Sequence, residues 1–76
     1  MRDSVAISSV TYENIQVPAN GSAYVGWSRE LYFHYKVSGV GSRNIMFVQD
    51  LTGDMYAVNV SGSAVTCKLT LYYFGG

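Results

Sequence analysis

Apolar and polar residues alternate with a period of two along most of this chain, the pattern of strands that turn one face to a core. In "LYFHYKV", Leu31, Phe33, Tyr35 and Val37 share one face, and Tyr32, His34 and Lys36 share the other. "VTCKLTLYYF" places Val65, Cys67, Leu69, Leu71 and Tyr73 inward and Thr66, Lys68, Thr70 and Tyr72 outward. "MYAVNV" groups Tyr56, Val58 and Val60, and in "AYVGW" Ala23, Val25 and Trp27 oppose Tyr24. "NIMFVQ" is apolar on both faces, Ile45 and Phe47 against Met46 and Val48, which predicts a strand covered once by the core and once by a neighbour. The first segment changes phase. Val5 and Ile7 have one parity, Val10 and Tyr12 the other, and Ile15 and Val17 the first again, predicting bulges near Ser8-Ser9 and near Glu13-Asn14.

Between these runs lie short stretches rich in Gly, Ser, Asn and Asp, the residues that tight turns require. In "IQVPANGSAYVGW", Pro18 fixes φ and Asn20-Gly21 tolerates the positive φ of a reversal. A phosphate-binding loop would need a helix after it; a strand pattern follows, so a hairpin turn is expected. The fold class predicted is all-β, an antiparallel β-sandwich or small barrel of about six strands, with residues 1–76 forming a single domain. Its expected core is Phe33, Tyr35, Val37, Phe47, Val58, Val65, Cys67, Leu69 and Leu71.

Composition changes this picture in one respect. A chain of 8.3 kDa folds to a surface of roughly 4,600 Å² and buries only ~60% of what it exposes unfolded, a thin core for an isolated monomer. Cys67 is the only cysteine and His34 the only histidine, so neither an intrachain disulfide nor a Cys/His zinc site is available to reinforce it. No cofactor is expected. Hydrophobic residues make up 49% and charged residues 13% of the sequence, and the formal net charge is zero. Such a surface favours association, and a homo-oligomer is the expected state. No apolar run reaches the ~18 residues of a membrane span, so no membrane insertion is expected. The stretch after Met1-Arg2-Asp3 alternates rather than forming an apolar block, so no secretory signal is expected. Asn20-Gly21-Ser22 and Asn59-Val60-Ser61 then read as turn and strand-end chemistry rather than glycosylation sites. Gly75-Gly76 would fray unless held, and a neighbouring subunit is the expected anchor.

Candidate chemistry is sparse, and a non-enzymatic role is expected. His34 and Cys67 form the obvious nucleophile pair, but their parities put the imidazole outward and the sulfur in the core. Asp3, Glu13, Glu30, Asp50 and Asp54 fall near turns or ends, and "DLTGD" reads as an Asx-type turn because it lacks the alternating oxygen ligands of a calcium loop. The five basic residues are scattered, which argues against nucleic acid. What remains is contact chemistry. Tyr24, Tyr32, His34 and Tyr72 have outward parity, Met46 and Val48 form a second apolar face, and these six are the candidate subunit or ligand contacts.

The stretch "IQVPANGSAYVGW" and the ending "VTCKLTLYYFGG" resemble small β-domains of bacteriophage virion proteins, of the tail-fibre, spike or capsid-decoration type. The resemblance spans roughly a third of the chain and carries no functional residue with it. Such domains are often appended to long proteins, whereas this chain begins at Met1 and is expected to stand alone. The resemblance implies a virion structural protein, made in the host cytoplasm, whose partners are its own copies and other virion proteins. The alternative is a small binding protein: an attachment module recognising a host-surface glycan, or an inhibitor of a host enzyme.

Overall fold

The computed structural model describes residues 6–75. Its strands are β1 (Ile7–Val17), β2 (Ser22–Trp27), β3 (Tyr32–Ser38), β4 (Ile45–Gln49), β5 (Asp54–Asn59) and β6 (Val65–Phe74), with one 3-10 turn at Ser42–Asn44 before β4. They form two three-stranded antiparallel sheets, ordered β1-β6-β3 and β2-β5-β4, whose inner faces pack together as a sandwich. The predicted fold class holds, and the separate sheets decide for the sandwich over the barrel.

Each sheet is organised by its central strand. β6 reads as expected: Val65, Cys67, Leu69 and Leu71 are buried while Thr66 and Lys68 are exposed. β1 pairs with it in unbroken register from Ile7↔Phe74 to Tyr12↔Leu69, then shifts before Ile15↔Cys67. That single bulge, with Asn14 at φ 57°, returns Ile15 and Val17 to the face of Val10 and Tyr12. The bulge expected near Ser8-Ser9 is absent, because Ile7 simply faces outward opposite Phe74. Val5, on which that expectation partly rested, lies outside the described residues, as does Gly76.

Three further expectations are corrected. On β3 the register shifts between Tyr32 and His34, so Tyr32 turns inward against Phe47 and Tyr73, at centroid distances of 6.1 and 5.6 Å. Phe33 turns outward in consequence, and stacks on Phe74 at 4.3 Å instead of joining the core. On β5 the predicted parity is inverted: Met55, Ala57 and Asn59 are buried, and Val58 leaves the core for the outer face beside Tyr56. The inner position of Asn59 is viable because its amide is fully partnered. Nδ2 donates to the carbonyls of Val17 (3.3 Å) and Ser63 (2.8 Å), and Oδ1 accepts from Ser61 N–H (2.9 Å) and Ser61 Oγ (2.7 Å). The turn at 18–21 closes with a bond from Gly21 N–H to the Pro18 carbonyl, 3.1 Å, and Asn20 takes φ 52°. It is not a hairpin, however, since it carries the chain from one sheet to the other. Among the described residues, the one hairpin of consecutive paired strands is β4–β5.

The core is thin. Val17, Ile45, Ala57, Val65 and Cys67 form one cluster and Met55, Leu69 and Leu71 the other, with Tyr35, Val37 and Phe47 half-buried against the second. At the described end of the chain, Gly75 N–H donates to the carbonyl of Ala6, just ahead of β1, at 3.2 Å.

Candidate interaction surface

With Met55 and Ala57 committed inward, the outer face of the β2-β5-β4 sheet takes the remaining side chains of its three strands. The register aligns two rows across it, Ser22–Val58–Met46 and Tyr24–Tyr56–Val48. Tyr24, Met46 and Val48 are exposed, at 59%, 50% and 45%. Tyr24 and Tyr56 meet edge to face at 5.6 Å. Three candidates named from sequence are therefore brought onto one surface. Tyr56 and Val58 were missed there because their alternation was read as core.

Trp27, at the end of β2, has the parity of Ala23 and Val25, which leaves it open between a core edge and a contact. A register shift between Tyr24 and Gly26 turns it out opposite Asp54, where its indole lies over Gly53 and donates from Nε1 to the Thr52 carbonyl at 2.7 Å. A Cβ at Gly53 (φ 101°) would stand 2.7 Å from that nitrogen, so glycine is required beneath the ring.

The polar end of this face is a structured turn. Asp50 Oδ1 accepts from Thr52 Oγ1 (2.7 Å), Thr52 N–H (3.0 Å) and Asp54 N–H (3.0 Å), the Asx geometry expected of "DLTGD". Donation from the Thr52 hydroxyl, joined by these backbone groups, holds the Asp50 carboxyl below its ordinary value. Tyr24 Oη donates to Asp54 Oδ1 at 3.0 Å, and this bond raises the phenol's pKa. The same carboxylate fixes the ring's orientation.

The other candidates separate. His34 and Tyr72 lie opposite one another on the outer face of the β1-β6-β3 sheet, with ring centroids 5.7 Å apart, near the Phe33–Phe74 stack and exposed Ile7. The rest of that face is polar, with Thr11, Thr66, Lys36 and Lys68 exposed. Tyr32 belongs to neither face; its hydroxyl donates to Ser28 Oγ at 3.1 Å inside the sandwich end. Cys67 points into the core, where burial pushes its thiol pKa up, and the sheet stands between it and His34. No group of three or more His, Cys, Asp or Glu gathers among the described residues. Two surface depressions, along residues 16–18 with 64–66 and along 20–22 with 58–60, are lined without an ionisable side chain.

No protein-family model, curated protein or solved structure matches this chain.

Proposed function

We propose that this protein is a non-enzymatic structural subunit that works by associating with its own copies and with neighbouring subunits, in the setting of a bacteriophage virion. The observation that carries the reading is the charge-poor outer face of the β2-β5-β4 sheet, where Tyr24, Met46 and Val48 stand exposed beside Tyr56 and Val58. A monomer of this size gains little from leaving such a face in water. A specific interface covers about 800 Å² per partner. Set against the chain's 5146 Å² of surface, that is a substantial fraction, and burying it would add apolar stabilisation that the thin core lacks. The virion setting follows from the resemblance of the 18–21 turn region and the last strand to phage β-domains.

Native mass spectrometry over a concentration series tests the reading. Wild type is expected to assemble, and Met46→Glu to remain monomeric with an unchanged far-ultraviolet spectrum, because Met46 is already half exposed and an unpaired carboxylate resists burial at an interface. A wild-type protein that stays monomeric at high concentration and never co-purifies with particles would overturn it.

A further inference from the structure

Four of the six strands are sheet edges: β1 and β3 in one sheet, β2 and β4 in the other. Open edges invite pairing with another chain, and bulges and charges are the usual protection. β1 carries a bulge between Tyr12 and Ile15, with Glu13 inside it. β2 is bulged between Tyr24 and Gly26, and β3 between Tyr32 and His34, with Lys36 further along. Among the described strands β4 alone lacks both devices: its register with β5 runs unbroken from Ile45↔Asn59 to Gln49↔Met55, and "IMFVQ" has no charge.

The hydrogen-bond parity of β4 says which groups face the open side. Val60 N–H donates to the Asn44 carbonyl (3.1 Å) and Asp50 N–H to the Asp54 carbonyl (2.9 Å), one bond at each end of the β4–β5 ladder. Antiparallel ladders alternate, so residues 44, 46, 48 and 50 turn their backbone groups to β5. Ile45, Phe47 and Gln49 turn theirs to the edge. The Ile45 N–H is taken by the Ser42 carbonyl; the other five groups point outward.

We infer that β4 pairs antiparallel with β4 of a second copy, centred on Phe47, joining the two β2-β5-β4 sheets into one of six strands. This rests on the self-association reading and names its contact. In that register Phe47 meets its equivalent and Ile45 meets Gln49, so outward groups face outward groups at the hydrogen-bonded positions, save the Ile45 N–H that the Ser42 carbonyl already holds. A shift to the next matching register keeps fewer of these pairs. Met46 and Val48 then fall opposite each other at the non-hydrogen-bonded positions. The outer row becomes Tyr24–Tyr56–Val48 in one copy, continued by Met46–Val58–Ser22 in the other. The charges agree as well: Arg43 precedes β4 and Asp50 follows it, so antiparallel pairing brings Arg43 of each copy to the end where the other carries Asp50. The contact is isologous and closes as a dimer.

The register is testable by oxidation of Met46→Cys and Val48→Cys variants, each alone and mixed in equal amounts, with wild type (Cys67 only) as control. Non-hydrogen-bonded partners have Cα atoms about 4.5 Å apart, within disulfide reach. The 46–46 and 48–48 diagonals, at about 7–8 Å, exceed it. The mixture is expected to give at least tenfold more disulfide-linked dimer than either variant alone. Equal linking in all samples, or none in a mixture that native mass spectrometry shows to be dimeric, overturns the β4 contact while leaving self-association in place. A monomeric wild type overturns both.

Discussion

Replacing Asn59 probes the inner face of β5, where the structure departs most from its sequence pattern. Asn59 is 1% exposed and makes four hydrogen bonds that tie the end of β1 to the 61–63 turn. Each such bond is worth about 1 kcal/mol net. In Asn59→Ala the Ser61 and Ser63 groups can find water, but the carbonyl of Val17, itself 1% exposed, stays close to the vacated site. The expected loss is therefore ~2–4 kcal/mol, a large share of the ~4–11 kcal/mol total for a domain of this length. Asn59→Asp makes the test sharper. It keeps the acceptor for Ser61 but sets an oxygen against the carbonyls of Val17 and Ser63, so burial and repulsion raise the introduced carboxyl's pKa in the folded state. The unfolded chain ionises there near pH ~4 while the folded one retains its proton. Stability relative to wild type must then fall as pH rises from about 4 toward the folded value, the reverse of a paired carboxylate. Urea titrations followed by circular dichroism at pH 4 and pH 7 read both effects. A loss under ~0.5 kcal/mol for the alanine variant, or a pH-independent deficit for the aspartate variant, would refute the reasoning.

Leu69 is fully buried at the centre of β6, and Leu69→Ala should cost ~2–5 kcal/mol in the same titration; a change below ~1 kcal/mol would mean the two core clusters are not a packed core. The lowered pKa of Asp50 makes its turn stabilising above the ordinary 3.8, a contribution lost as pH falls below that value through the folded one. Asp50→Asn should therefore flatten the acid limb of a melting-temperature profile below pH 4.5, and an unchanged limb would assign acid sensitivity to other groups.

Legibility in the sequence followed the contrast between a strand's two faces. β6 was readable because Thr and Lys alternate with Val, Cys and Leu, and its centre is buried as that pattern says. The β1 bulge was readable because Glu13 and Asn14 interrupt an apolar series, and Asn tolerates the φ it adopts there. β5 misled because outer Tyr56 and Val58 are larger and more apolar than inner Ala57 and Asn59, and Asn59 depends on partners from 42 residues earlier and from the following turn. Tyr32 and Phe33 were misplaced by a one-residue register shift at a sheet edge, which leaves no mark in a period-two pattern. Among the contact candidates, those on β2 and β4 converge because their strands flank the same central strand. That adjacency is a property of the topology, and alternation along one strand carries no information about it.

The position of β6 sets the order in which this chain can acquire structure during synthesis. It is the last of the described strands in chain order, yet both β1 and β3 pair with it and not with each other. Until residues 65–74 have cleared the ribosome, the eleven-residue β1 has no partner in its own sheet. Only the β4–β5 hairpin and its pairing with β2 can form beforehand, leaving an apolar sheet face uncovered. Folding is thus governed by a long-range closure, which places this sandwich among slow folders for its size. The interval before closure is when incompletely folded copies are most open to one another.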